Sequence, residues 1–426
     1  MSSEARQRIA VIGAGISGLA SAYFLARKHE VVLFEASAYL GGHTNTVDVT
    51  LDGITHPVDT GFLVFNQATY HNLIALLAEL GVKSYATDMS FGVSLDNGSL
   101  EWAGTSLDTV FAQRRRIFSP SFVSMLRDIL RFNARAAENL RLADISPLSL
   151  EQLLENGAYG AMFRDAYLMP MAAAIWSSSP RDILQFPAST FLRFCQNHAL
   201  LQVNDRPQWQ TVLGGGREYV RKIAVTLPEY RLLAPVQRIE RTDEGVWVTS
   251  NRGREKFDAA ICATHAPQTL QMMADLNEDE RAILSAIHYQ RNTAILHTDI
   301  RLMPRHHKVW SAWNYLGGMK VDQQRPVCVS YWLNKLQNLP FQTQVMVTLN
   351  PYTPPDSSAV LAQFNYEHPI FDHAAIAAQK KLPAIQGKNR VWFAGAWTGY
   401  GFHEDGLKSA LRIASDFGLA PSWAKV

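Results

Sequence analysis

Residues 8–35 read RIAVIGAGISGLASAYFLARKHEVVLFE. Arg8–Ile12 is a short apolar run of the kind that forms a strand buried on both faces. It enters Gly13-Ala14-Gly15-Ile16-Ser17-Gly18, and the Ala- and Leu-rich stretch Leu19–Arg27 predicts a helix. Glu30–Phe34 then predicts a second buried strand, and Glu35 stands 17 residues past the last glycine (35 − 18). Each part has a physical reason: Gly13 permits the tight turn, Gly15 lets the backbone approach a pyrophosphate, and Gly18 lets the helix pack close to the strand. The helix N-terminus, including Ile16 and Ser17, presents free N–H groups and the positive end of its dipole to phosphates. The Glu35 carboxylate accepts hydrogen bonds from a ribose diol and disfavours a 2′-phosphate. Glycines alone would be a poor signal. With both strands and the carboxylate in place, the segment predicts a dinucleotide site in an α/β lobe.

The composition agrees with a folded enzyme. Of 426 residues, 47% are hydrophobic and 18% charged, which excludes a disordered tail, a collagen-like chain or a disulfide-stapled miniprotein. The length predicts two lobes. Forty Lys and Arg against 38 Asp and Glu give +2, so there is no whole-molecule attraction to nucleic acid, and none is expected as a partner. Cys195, Cys262 and Cys328 are far apart and odd in number, which suits a reducing, cytoplasmic setting. No apolar run reaches the roughly 20 residues of a spanning helix, and no metal-ligand spacing is present; His306-His307 are adjacent and point different ways.

Beyond Glu35-Ala36 the chain continues to Gly41-Gly42-His43, a second glycine pair that a simple nicotinamide dehydrogenase does not need. This resembles the extended FAD fingerprint of the flavin amine oxidase and phytoene desaturase superfamily, in which the pair passes close to the FAD phosphates. His43 stands where that superfamily usually has Arg. Near the other end, Arg390–Phe393 predicts a strand, followed by Ala394-Gly395-Ala396-Trp397-Thr398-Gly399-Tyr400-Gly401-Phe402-His403-Glu404-Asp405-Gly406 and a helix from about Leu407 to Phe417. This resembles the superfamily's second FAD motif, whose helix N-terminus points at the flavin N1–C2=O edge. The resemblance makes Gly395, Ala396, Gly406 and Leu407 cofactor residues, with Ala396 where many members carry Asp or Glu. Val58-Asp59-Thr60-Gly61-Phe62 is similar to the stretch that follows the first motif, and Val236 falls where members offer a backbone amide to the adenine ring.

Together with Pro170–Trp176, Asn197-His198, Trp209–Val212, Gly214–Arg217 and His403–Gly406, these motifs resemble a bacterial branch described as predicted NAD/FAD-binding proteins and associated with lipid modification. The resemblance covers essentially the whole chain. It implies a discontinuous α/β, Rossmann-like FAD lobe built from residues 1–85, 205–265 and 385–426, and an α+β substrate lobe from 86–204 and 266–384. The hairpin signal Asp243-Glu244-Gly245 between Arg231–Ile239 and Val246–Thr249, and the buried run Phe257–Ala263, fit the first lobe. Helical residues 119–145 and the strand-like runs Asn292–Thr298, Val309–Tyr315, Val327–Leu333 and Val345–Thr348 fit the second. The implied cofactor is non-covalent FAD, since the last cysteine, Cys328, precedes the second motif by many residues.

A flavin takes hydride at N5, so the protein needs no nucleophile of its own. The amine oxidases of the superfamily commonly use a lysine near N5. The corresponding strand here, Asn292–Asp299, contains none and offers His297 instead. His403 and Glu404 are the leading polar candidates for positioning or proton transfer, set against capping of the helix they open. Trp310, Trp313, Tyr315, Tyr331 and Trp332, with Trp176 and Trp397, would wall an apolar channel or fill a core.

The expected function is hydride removal from, or redistribution within, a hydrophobic or lipid-like substrate. Oxidation of a small amine is the alternative, and a flavin-binding partner without turnover is an alternative of another class. Arg114–Arg116, Phe118, Phe122, Met125, Arg127, Arg131 and Arg135 read as a solvated helix face with a buried aromatic side, or as a peripheral contact with anionic lipid. Oligomeric state is not legible.

Overall fold

The computed structural model describes residues 6–146, 148–176, 183–197, 200–201, 207–319 and 325–425. The quoted opening folds as a strand–turn–helix–strand unit: strand Arg8–Ile12, helix Ile16–Leu25 and strand Glu30–Phe34. The helix starts three residues earlier than its composition predicts, directly after Gly15. Both strands are buried along almost their whole length and belong to a five-stranded sheet, parallel throughout. Its order is Glu229–Arg231, Glu30–Phe34, Arg8–Ile12, Ala259–Cys262, Val391–Phe393, so the sheet draws on three distant stretches of chain.

The helix His403–Asp416 packs against Ile16–Leu25 on one face of this sheet. On the other face Phe34, Ile12 and Val32 meet Met273, Ile283 and Leu382, which lie outside the segments expected for this lobe. Helices Ala266–Met272, Glu278–Ser285 and His373–Lys381 flank it there.

The second large element is a seven-stranded mixed sheet in the order Val360–Pro369, Tyr289–His297, Met346–Leu349, Val327–Trp332, Trp313–Gly317, Phe91–Leu95, Leu100–Ala103. Only Trp313–Gly317 and Phe91–Leu95 run parallel; every other neighbouring pair is antiparallel. Helices from Pro120–Ala134 to Ala188–Asn197 share a hydrophobic cluster with it.

Several expected elements divide. Phe257–Ala263 is not one strand: Gly253–Phe257 closes a three-stranded meander with Val236–Thr242 and Gly245–Ser250, while Ala259–Cys262 enters the parallel sheet. Between them the Asp258 carboxylate accepts the Arg8 N–H at 2.7 Å, tying the break to the start of the first strand. Arg231–Ile239 likewise splits, with Leu233 at φ +50° between its two strands. Val309–Tyr315 is a turn at 307–309 and a strand only from Trp313, because the Trp310 indole donates to Pro304 O and the Ser311 N–H to Asn314 Oδ1. Residues 119–145 form two helices that break at Arg135.

Candidate active site

One cavity of about 1040 Å³ runs from the glycine turn of the parallel sheet to the mixed sheet, at the upper end of the roughly 300–1,000 Å³ common for small-molecule sites. At its first end Gly13 has φ +98°, a conformation that a side chain resists, and its N–H donates to Phe34 O at 2.8 Å. Gly15 caps the helix without a side chain, and a Cβ built there meets nothing within 4 Å. The first N–H groups of that helix, at Ile16 and Ser17, therefore open on the cavity. Gly18 does not line it. A Cβ there would lie 1.8 Å from Gly13 O, so this glycine serves the close packing of helix on turn.

Glu35 accepts the Ala14 N–H on Oε2 and the Ser37 N–H on Oε1, each at 2.8 Å, and one lone pair on each oxygen is left for a further donor. Ala36 and Val236 line the same end. The Gly41-Gly42 pair folds onto this turn: Gly41 N–H donates to Ala14 O at 2.8 Å, and a Cβ on Gly42 would stand 3.1 Å from Gly15 Cα.

The C-terminal motif closes the other side. Gly395 and Ala396 line the cavity, and Gly395 N–H donates to Ser409 Oγ at 3.0 Å. The helix begins at His403, four residues before its expected start, which places His403, Glu404 and Asp405 in its first turn. Gly406 and Leu407 do not line the cavity. A Cβ on Gly406 would meet Ile16 Cγ2 at 2.7 Å, and Leu407 is fully buried between the two helices, so both serve helix packing.

His403 lines the cavity, its ring stacked on Phe62 at 3.8 Å and 11°, with Nε2 2.7 Å from the Tyr219 hydroxyl and 3.1 Å from Thr44 Oγ1. Burial pushes its pKa down to about 3, so at neutral pH the ring is the uncharged imidazole and a poor general acid. Thr60 hydrogen-bonds Asn45 O and the Tyr366 hydroxyl, and a Cβ on Gly61 would strike His43 O at 2.2 Å. These contacts lock the Thr60-Gly61-Phe62 wall against the loop that carries His43.

Two expected catalytic residues lie elsewhere. Glu404 points away from the cavity: its carboxylate accepts the Asn72 N–H (3.0 Å), Asn72 Nδ2 (2.7 Å) and the Leu73 N–H (2.9 Å), which caps the helix His71–Glu79. His297 is fully buried in the mixed sheet, with Nε2 2.7 Å from Thr348 Oγ1 and Nδ1 accepting the Asp299 N–H at 3.1 Å. It holds a sheet together and does not line this cavity.

His297→Gln is therefore expected to leave flavin reduction unchanged while flattening the acid side of the stability profile. The folded-state pKa of His297 is lowered from 6.5 to about 4, so the unfolded chain binds its proton first. Its contribution is present above pH 6.5 and is lost as pH falls towards 4, by about 2–3 kcal/mol. His368 acts in the same sense, whereas Asp59 and Asp405, both raised to about 6, act in the opposite one. The readout is the pH slope of the melting temperature, compared between variant and wild type.

A group of which the sequence marked only His43 gathers in the cavity. His43 stacks on Tyr366 at 5.0 Å and lies 5.2 Å from the His368 ring and 6.2 Å from that of His265. His265 stacks on Tyr289 at 4.3 Å and pairs with Glu367 at 3.1 Å, and His368 Nδ1 accepts from Asn292 at 2.9 Å. Burial lowers the pKa of all three imidazoles, and their mutual repulsion lowers that of His43 further. His43 Nε2 is buried with no hydrogen-bond partner in the protein. These residues come from four chain segments, and apart from His43 only their close approach marks them.

The far end is aromatic. Trp176 meets Phe194 at 4.6 Å, Phe194 stacks on Phe402 at 4.9 Å, and Trp313 meets Tyr331 edge-on at 4.8 Å. Trp397 also lines the cavity. Tyr315 is core, and Trp310 and Trp332 pack on each other outside the cavity. Among the described lining residues the charged side chains are Glu35, Arg291 and Glu367, and none is lysine. All three cysteines are buried away from the cavity, and among the described residues no His/Cys/Asp/Glu group could hold a metal. His198, part of the expected family pattern, lies outside the described residues.

Residues 16–299 match the family model of flavin containing amine oxidoreductases. A putative flavin-containing monoamine oxidase of Mycobacterium tuberculosis is 28% identical over 270 residues, 60% of this chain and 56% of that protein. A carotenoid phi-ring synthase of Streptomyces griseus is 32% identical over 175 residues, 39% of this chain and 32% of that one. The chain thus spans about half, or less, of the length of these curated relatives. Two solved structures share the fold along nearly all of both chains. A fatty acid isomerase from P. acnes has a TM-score of 0.68 at 15% identity, covering 98% of this chain and 99% of that one. Putrescine oxidase bound to putrescine has a TM-score of 0.66 at 17% identity, covering 97% and 99%. The chain belongs to the flavin containing amine oxidoreductase family, with FAD as the cofactor of that family's oxidoreductase fold.

Proposed function

We propose that this family member transfers hydride from a hydrophobic, fatty-acyl or lipid-like substrate to flavin, as a desaturase, dehydrogenase or isomerase. The observation that carries this reading is the continuity of one cavity from a phosphate-type cradle to an aromatic chamber without a described lysine. The residues fit FAD: the open Cβ position at Gly15, the spare lone pairs of Glu35 and the orphaned His43 Nε2 are all features that a dinucleotide would satisfy. Gly13, Gly15, Ile16, Ser17, Glu35, Ala36, Gly41, Gly42 and His43 would hold its adenosine and pyrophosphate. Thr60, Gly61, Phe62, Gly395 and Ala396 would line its ribityl and ring portion, with Val236 at the adenine. The FAD lobe would comprise residues 1–85, 205–265 and 385–426 with the flanking helices noted above, and the remainder would be the substrate lobe.

When bound, FAD supplies the hydride acceptor, N5. The chain's own task is to hold a C–H bond against that atom and keep water away, which the Trp176, Phe194, Trp313 and Tyr331 walls favour. The helix opening at His403 offers its positive end to charge that builds up beside it. Neutral His403, fixed by Phe62 and Tyr219, acts as a positioning residue rather than an acid.

Anaerobic titration of the FAD-loaded protein tests the proposal, with bleaching of the flavin bands and analysis of the lipid product as readouts. Unsaturated fatty acids or phospholipids are expected to bleach the flavin or emerge isomerised, and small diamines to do neither. Bleaching by amines, with hydrogen peroxide on re-aeration, would establish amine oxidation instead. A flavin that none of these substrates and no chemical reductant reduces would favour a non-catalytic carrier.

A further inference from the structure

The segment 107–135 leaves a concentration of apolar side chains uncovered. Phe118 is 87% exposed, Leu107 78% and Leu130 61%, and Ile117 and Val123 are exposed beside them. The helix Pro120–Ala134 explains how this surface arises. It turns Phe122, Met125 and Phe132 into the core, and at 3.6 residues per turn Val123, Arg127, Leu130 and Ala134 fall on the opposite face. Ile117 and Phe118 immediately precede its N-cap, Ser119. The Leu107 turn is held alongside by the Asp108–Arg114 ion pair and by the ring contact of Phe111 with Phe122 at 5.8 Å.

The charge on this surface is one-sided. Residues 107–135 contain six arginines and two aspartates, a balance of +4 (6 − 2) in a chain whose total is only +2. Both aspartates are engaged: Asp108 with Arg114 and Lys308, and Asp128 with Arg131 and the Gly160 N–H. Arg115 and Arg127 are exposed and have no ion-pair partner among the described residues.

We propose that this face docks on an anionic lipid bilayer, with Phe118, Leu107 and Leu130 entering the boundary between headgroups and acyl chains and Arg115 and Arg127 meeting lipid phosphates. Exposed aromatic and aliphatic side chains interleaved with arginine are what an interfacial surface requires. A second copy of the chain is a poorer occupant, because two-fold pairing through this face would bring its arginines together. Among the described residues no helix is long and apolar enough to cross a membrane, so the contact is peripheral. The proposal is independent of which substrate the cavity takes.

Co-sedimentation of the FAD-loaded chain with vesicles tests it, using pure phosphatidylcholine and an equal mixture with phosphatidylglycerol. Binding is expected to the anionic mixture only and to fall at high salt. An arginine near such a surface is worth about fivefold in partitioning, so R115S/R127S is expected to lower it roughly 25-fold. F118S is expected to lower it further, and both variants should keep the wild-type flavin spectrum and melting temperature. Equal binding to neutral vesicles, no binding to anionic ones, or variants that bind like wild type would overturn the proposal. So would a lipid-free dimer that F118S dissociates, which would make the face a self-interface.

Discussion

Gly15→Ala is expected to fold normally and to lose FAD affinity, whereas Gly18→Ala is expected to lose the fold. The two glycines stand three positions apart in one motif, yet the space around them differs completely. A methyl on Gly15 meets no protein atom within 4 Å, and its φ of −69° suits alanine. Alanine at a helix N-cap costs less than about 1 kcal/mol relative to glycine. That methyl would project where the proposed site brings the pyrophosphate, and overpacking of about 1–3 kcal/mol corresponds to roughly five- to 150-fold in affinity. On Gly18 the same methyl would lie 1.8 Å from Gly13 O, and neither backbone can retreat, because Gly13 is itself tied to Phe34. A loss of about 3 kcal/mol or more follows. Melting of the apoproteins and titration of each with FAD by fluorescence quenching separate the two effects. Wild-type FAD affinity in Gly15→Ala would mean that the phosphates lie elsewhere.

Glu404→Ala is expected to destabilise the protein by about 3–5 kcal/mol, because it strips one carboxylate from three buried donors at a helix N-terminus. Those donors, on Asn72 and Leu73, have no water to turn to, and the lost cap joins the C-terminal FAD motif to a helix more than 330 residues earlier in the chain. Glu404→Gln, which keeps one acceptor oxygen but drops the charge and turns the other oxygen into an NH2 donor, should fall in between. The fraction that retains FAD is expected to be reduced by substrate at the wild-type rate. A variant with unchanged melting temperature and abolished flavin reduction would return Glu404 to a catalytic role.

The elements that were legible were those whose cause is local. Arg8–Ile12 and Glu30–Phe34 have the boundaries the apolar runs predict, since burial on both faces leaves a continuous hydrophobic signature. Phe257–Ala263 looked equally uniform, but its division at Asp258 depends on a contact with Arg8, 250 residues away. The candidate site divides in the same way. Glycines of the two motifs could be named from their spacing, and Gly18 has the close-packing role that spacing implies, while Gly406 and Leu407 turned out to pack between helices rather than line the cavity. His403 and Glu404 are neighbours in sequence, and the direction of each on the helix decides which one meets the cavity. His265, His368 and Tyr219 carried no motif, because what brings them to the site is the meeting of strand ends and helices from separate stretches of chain.

The parallel sheet takes its edge strand from Val391–Phe393, and the helix packed on its first βαβ unit ends at Asp416. During translation the paired N-terminal strands therefore emerge long before their outer neighbours exist, and the proposed nucleotide cradle stays open until residues 391–416 have left the ribosome. Such long-range closure is slow and exposes apolar edges meanwhile. Tight capture of FAD then requires a polypeptide that already includes residues 391–416, so the flavin colour of a nascent or truncated chain would report arrival of that segment rather than the presence of the first motif.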